Sequence, residues 1–162
     1  MIVVSDSTAL IGLSAIGGLE WLRELYAIVI IPQAVYREVV IDGSGKAGSK
    51  EVASADWIQT RTIQNHNDKI YLMNVIGLDE GESEAIVLAG EIGADLLLLD
   101  DSDARKYARE LQLTITGMVG VILAAKQIGI IASVRSQLDA LISVGIFIDA
   151  NLYREVCQRV SE

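Results

Sequence analysis

The chain has 162 residues, enough for one domain with a sizeable core, and 51% of them are hydrophobic. A formal net charge of −9 excludes a protein that wraps nucleic acid by charge alone. It leaves room for a basic partner or for a cluster of metal-binding acids. No apolar run approaches the ~20 residues of a membrane-spanning helix. The opening Met-Ile-Val-Val-Ser-Asp has no basic region or cleavage site of a secretory signal, and the lone Cys157 cannot form an internal disulfide or a Cys-based zinc site. The expectation is a cytoplasmic protein with no membrane association.

In chain order, Ile2-Val3-Val4-Ser5 is a β-branched run that predicts a buried strand, closed by Asp6-Ser7-Thr8. Leu10, Leu13 and Ile16 then recur at helical spacing, until Gly17-Gly18 breaks the pattern. A second helix is expected over Leu19 to Tyr26, and a second strand over Ala27 to Ile31. Pro32 stands where a first helical residue belongs, ahead of a helix over Gln33 to Ile41. Asp42 to Gly48 is a glycine-rich loop, and a short helix follows from Ser49 to Ser54. Trp57 to Ile63 alternates apolar and polar residues like an exposed edge strand. Asn65 to Ile76 is ambiguous. Asp79 opens a helix reaching Ile92, Leu96 to Leu99 is an apolar strand, and Ser102 to Leu111 is helical. Leu113 to Thr116 is a last strand, followed by helices over Gly117 to Ile128, Ser133 to Val144 and Asn151 to Val160. Apolar strands alternating with helices predict a three-layer α/β/α domain over residues 1–162, with a central, mainly parallel sheet. Sites in such sheets form at the carboxyl ends of strands.

The acids fall on that edge. Asp6 ends the first strand, and Asp100 and Asp101 end the Leu96 to Leu99 strand. Carboxylates are rarely buried unpartnered and repel when clustered, unless a proton or cation intervenes. Divalent cations prefer oxygen ligands, and a bound cation can activate water and stabilise a phosphoryl transition state. Each acid also has a purely structural use. Asp6 can cap the next helix, and Asp100 to Asp103 can form a solvated turn with a cap. Glu38 shares a helix face with Ala34 and Val35, or stands exposed at the edge of that face. In Leu78 to Ala89, Asp79 and Glu82 have the spacing of a capping box. Glu84 lies deeper in that helix, yet Glu82 sits at least as near the centre of its apolar stripe, so the wheel does not separate the two. Arg105, Lys106 and Arg109 are the densest basic group, available as ion-pair partners for Asp101 and Glu110 or as contacts for a phosphate. His66, the only histidine, stands among polar residues and reads as a surface side chain.

Four segments together resemble the PIN-domain family. They are Asp6-Ser-Thr after the first strand, Ile31-Pro-Gln-Ala-Val-Tyr-Arg-Glu38, Gly81-Glu-Ser-Glu84-Ala-Ile-Val-Leu-Ala, and Leu97-Leu-Leu-Asp-Asp101. A branch of short prokaryotic PIN-like proteins is similar also in Asp101-Ser-Asp-Ala-Arg-Lys-Tyr-Ala, Thr116-Gly-Met-Val-Gly and Ala124-Ala-Lys-Gln-Ile-Gly-Ile-Ile. The resemblance implies an RNA-cutting enzyme that uses Mg²⁺ or Mn²⁺, and many such enzymes are toxins held by an antitoxin protein. It implies Asp6, Glu38, Glu84 and Asp101 as the catalytic acids, with Asp6, Glu84, Asp100 and Asp101 on the metal. Thr8 matches the small hydroxyl residue beside the first acid, and Asp103 is a helper. Leu99 departs from the Thr or Ser that many toxins place before the final acids, which removes a polar neighbour. The alternative is a PIN-like module that keeps the acids and acts by binding RNA or a partner protein. Two further expectations follow. Without metal, one acid of the cluster titrates above its ordinary range. The apolar stretch Leu138 to Phe147 and the high apolar fraction point to a homodimer or a protein partner.

Overall fold

In a computed structural model covering residues 1–162, five short strands form one sheet. They are β1 (Val3–Ser5), β2 (Val29–Pro32), β3 (Ile58–Arg61), β4 (Leu96–Leu98) and β5 (Ile115–Thr116). The order is β3-β2-β1-β4-β5 and every pairing is parallel. The chain works outward from β1 to β3 on one side, then returns to the other side of β1 for β4 and β5. The strand order therefore reverses between β1 and β4, where open sheets of this kind leave a crevice at their carboxyl ends.

The helices are α1 (Ser7–Ala15), α2 (Glu20–Tyr26), α3 (Gln33–Tyr36), α4 (Ser49–Ser54), α5 (His66–Tyr71), α6 (Glu80–Glu91), α7 (Ser102–Glu110), α8 (Met118–Gln127), α9 (Val134–Ser143) and α10 (Ala150–Arg159). The helix expected over Gln33 to Ile41 is a single α-turn continuing as a π-helical segment, Arg37–Asp42. The ambiguous stretch after Asn65 is α5 running into a second π-helical segment, Leu72–Ile76. Such wide turns are rare and often stand at functional sites.

Side chains alternate across the sheet, and this builds two cores. Val3, Val29, Ile31 and Leu98 face α1, α2, α8, α9 and α10, with Leu10, Leu13, Ile122 and Leu138 fully buried among them. Val4, Ile30, Leu97 and Leu99 face the other way, against Ala85, Ile86, Leu88 and Ala89 of α6 and Ala104 and Ala108 of α7. The result is the α/β/α sandwich expected from the continuous apolar strands. β3 is an edge strand whose side chains are mostly exposed, in keeping with its alternating sequence. No helix is long and apolar enough to cross a membrane.

The last two helices are clasped by one side chain. Glu162 accepts hydrogen bonds from the Ser133 hydroxyl and from the Val134 and Arg135 amides at the start of α9, and pairs with Lys126 at 3.2 Å. These donors, the two amides first, hold its carboxyl down to about 2. A depressed acid adds stability that is present above its ordinary value of 4.5 and lost as pH falls through about 2. Glu162→Ala is therefore expected to lower the melting temperature at neutral pH, and the gap from the parent should close in strong acid. Identical melting curves at neutral pH would show that the clasp contributes nothing.

Candidate active site

The end of β1 turns directly into α1, so Asp6 is both the last residue of the strand edge and the cap of the helix. Its Oδ1 accepts from the Ala9 amide at 3.1 Å, and its own amide donates to the Leu98 carbonyl at 3.1 Å, tying it to the end of β4. Only 1% of Asp6 is exposed, and its second oxygen, Oδ2, is buried with no hydrogen-bond partner. From β4 the chain runs through Leu99 to Asp100 and Asp101. Asp100 accepts from the Met118 amide at 3.0 Å and so holds the start of α8. Asp101 caps α7, with Oδ1 accepting from the Asp103 and Ala104 amides at 3.0 and 2.9 Å. The structural uses weighed for Asp6 and Asp101 are thus real. Each spends only one oxygen on its cap.

Two more carboxylates reach this edge from flanking helices. Glu38, on the π-helical segment, accepts through Oε2 from the Ser7 hydroxyl. Glu82 forms the expected capping box with Asp79: its Oε2 accepts from the Asp79 amide at 3.1 Å, and its amide donates to Asp79 Oδ1 at 2.7 Å. Gly81 makes the approach of α6 feasible, since a Cβ there would lie 2.9 Å from Glu38 Oε2 and 3.1 Å from Ser7 Oγ. Asp6, Glu38, Glu82 and Asp101 therefore share one arrangement. In each, a single oxygen is fixed by a protein donor, and the other accepts no protein hydrogen bond.

Glu84 is placed differently. It is 4% exposed, and both its oxygens are taken, Oε1 by Lys69 Nζ at 2.7 Å and Oε2 by the Ala34 amide at 2.8 Å. In this metal-free arrangement both oxygens of Glu84, expected on the metal, are engaged by protein donors. Glu84 ties α6 to the start of α3 and to α5, and Glu82 occupies the side of α6 that faces the other acids. Among the remaining candidates, Thr8 lines the cleft beside Glu82, Asp100 and Asp101. Asp103 is exposed on the first turn of α7, where its amide serves Asp101. Arg105 makes no ion pair with Asp101; its Nη1 donates to the Leu99 carbonyl at 3.0 Å and its charge favours the ionised form of Asp100. Leu99, the departure from the toxin pattern, is wholly buried in the α6–α7 core.

Electrostatics bind the acids into one group. Burial first, then the negative charges of Asp100 and Glu82, push the Asp6 carboxyl up to about 8. Burial, with repulsion from Asp79, Asp101 and Glu38, pushes Glu82 up to about 7. Asp100 is also raised by burial, against the pull of the Met118 amide and Arg105. The sequence pointed to one acid of this kind, whereas three are raised. No group of three or more acidic, His or Cys side chains is arranged, as it stands, to hold an ion. What fits a divalent cation is the donor set itself: hard oxygens from a buried Asp6, half-buried Glu82 and Asp100 and an exposed Asp101, repelling one another, with Asp6 Oδ2 making no hydrogen bond. The cleft has a volume of about 300 Å³ and is closed on its apolar side by Met118, Leu141 and Ile146.

Sequence reasoning missed Ser7, which positions Glu38, and two glycines. Gly81 is one. Gly117 is the other, where a Cβ would stand 2.4 Å from Asp100 Oδ1 and 2.9 Å from Arg105 Nη1. Both lie within the quoted motifs; Gly81 stands directly between Glu80 and Glu82, whereas no acid flanks Gly117 in the sequence.

A parallel sheet between two helical layers, with carboxylates gathered where β1 and β4 diverge, defines the PIN nuclease-type fold. Residues 2–162 match the family model DUF3368, described as a PIN domain, and the chain belongs to that family. Among solved structures, it is similar to a PilT N-terminus domain protein from the hyperthermophilic archaeon Sulfolobus solfataricus. The two are 20% identical, with a TM-score of 0.57 over 77% of this chain and 93% of that one, a likeness of fold. No curated protein matches the chain significantly.

Proposed function

We propose that this protein is a metal-dependent ribonuclease, with Mg²⁺ or Mn²⁺ held by Asp6, Glu82, Asp100 and Asp101 and with Glu38 at the rim. The observation that carries the reading is the buried, unpartnered Oδ2 of Asp6 at the strand switch point, with Asp100 and Glu82 the negative charges that disturb it. A carboxylate this buried, held by the Ala9 and Asp100 amides alone, is costly as an anion unless a cation or a proton occupies its neighbourhood.

Bound there, a divalent ion makes a water molecule more acidic and offsets charge building on a phosphate. The chain's own residues prepare the site. The Ala9, Asp79 and Met118 amides and the Ser7 hydroxyl fix one edge of the carboxylates, so little side-chain freedom remains to be lost on binding. Met118, Leu141 and Ile146 keep bulk water from one wall of the cleft. Asp6 and Glu82, raised to about 8 and about 7, start partly protonated in the metal-free protein, so metal binding is expected to release protons at neutral pH.

The deciding assay follows single-stranded RNA incubated with the purified chain. Cleavage with Mn²⁺ or Mg²⁺, abolished by chelator and restored by excess metal, is the expected result. Cleavage indifferent to chelator, or intact RNA with both metals, would overturn the proposal.

A further inference from the structure

A groove of about 760 Å³ opens beside the acid cleft, between α7, the start of α8 and α10. The two cavities share Asp100, Val119, Phe147 and Ile148, so the groove leads directly out of the cleft. Two features set it apart. First, three of the chain's eight arginines, Arg105, Arg109 and Arg159, line it and balance its three acids, Asp100, Asp149 and Glu155, in a protein whose net charge is −9. Arg105 is tied to the Leu99 carbonyl, whereas Arg109 and Arg159 make no salt bridge. Second, Phe147, the only phenylalanine, stands 88% exposed at the junction of the two cavities.

The display of that ring is built into the backbone. Ile146 and Ile148 on either side pack against the first core, so their neighbour must point outward. The segment is held at both ends. The Ile146 amide donates to the Leu141 carbonyl at 3.0 Å, and Asp149 caps α10 through the Asn151 and Leu152 amides. An apolar ring kept in water on a pinned backbone is costly to leave uncovered.

We infer that this groove seats the unpaired nucleotide next to the scissile phosphate, its base stacked on Phe147 and its backbone phosphates met by Arg109 and Arg159. The inference rests on the reading of the protein as a ribonuclease. It narrows the substrate to single strands, because a base inside a duplex cannot lie on a protein ring. The Arg109 and Arg159 guanidinium groups are engaged in no salt bridge, and such groups match phosphate oxygens in a two-pronged geometry. They also offset, locally, a surface that would otherwise repel RNA.

The test measures binding of a short fluorescein-labelled single-stranded RNA of mixed sequence by anisotropy, in an Asp6→Asn background that leaves the RNA uncut. Phe147→Leu keeps an apolar side chain but no ring, and is expected to weaken binding about tenfold, with Phe147→Trp restoring it. The ring is exposed, so melting temperatures should not move. Arg109→Gln and Arg159→Gln are each expected to flatten the salt dependence of binding by about 0.7 in log–log slope. A duplex of the same sequence should be indifferent to Phe147→Leu. Tight RNA binding by the Asp6→Asn chain that survives Phe147→Leu and both arginine changes overturns this inference alone. A native chain that neither cuts nor binds RNA overturns the ribonuclease reading as well.

Discussion

Asp6→Asn is expected to abolish RNA cleavage while making the metal-free protein more stable at neutral pH. Asparagine keeps the cap, since its Oδ1 can still accept from the Ala9 amide. Its amide group places donors where Oδ2 stood without a partner, beside the negative charges of Asp100 and Glu82. The sign follows from the carboxyl's position at about 8 in the folded chain against an ordinary value of 3.8. Between those values the unfolded chain has lost the proton and the folded chain has kept it, so the parent loses stability as pH rises through the interval. Asparagine carries no such proton, and the variant is spared the loss. The gain at neutral pH is on the order of 2 kcal/mol, seen as a melting temperature several degrees higher, and it should vanish near pH 4. With Asp6 on the metal, as proposed, activity should fall by more than about 100-fold, beyond the effect of losing an outer-shell partner. A variant that cleaves like the parent would leave Asp6 as a helix cap and nothing more. A melting temperature that falls would mean the buried carboxylate stabilises the fold.

The fold was legible because the strands announce themselves. Runs such as Ile2 to Ser5 and Leu96 to Leu99 are apolar on both faces, which only a sheet covered on both sides accommodates. The edge position of β3 followed from the alternation in Trp57 to Ile63. The segment after Asn65 was opaque for a physical reason: α5 buries none of its residues, so it carries no apolar stripe to read. Its cap, Asn65 accepting from the Asp68 amide at 3.1 Å, is local and easily mistaken for a turn. The same opacity hid Lys69, and with it the ion pair that Lys69 makes with Glu84. The acids at strand ends were readable from position alone, because strand direction fixes the edge. Those on helices were not, because the wheel gives a face and not the neighbour that face meets.

Glu82 and Glu84, two residues apart on α6, are the acids whose substitution separates most sharply the proposed metal site from a role in stability. Glu82 has one oxygen in the capping box and the other without a protein hydrogen bond, and burial, then the charges of Asp79, Asp101 and Glu38, raise it. Glutamine preserves the box, because its carbonyl can accept from the Asp79 amide, and it removes repulsion from the cluster. Glu82→Gln should therefore leave the melting temperature level or higher and destroy activity. Glu84 reverses both outcomes. Its carboxylate satisfies the Ala34 amide at the start of α3, an orphan donor by virtue of its place in the helix, and neutralises Lys69, whose side chain is 17% exposed. Glu84→Gln leaves Lys69 with only the more exposed Glu80 and is expected to cost about 1–3 kcal/mol. Glu84→Ala, which also strands the Ala34 amide and opens a cavity, should cost about 3–5 kcal/mol. Activity per folded molecule should survive Glu84→Gln at a temperature where the variant is fully folded. Urea denaturation paired with cleavage rates decides the matter. If Glu84→Gln is as stable as the parent but inactive, while Glu82→Gln still cuts RNA, then the metal lies on the α3 side of α6 and the order of the two residues must be exchanged.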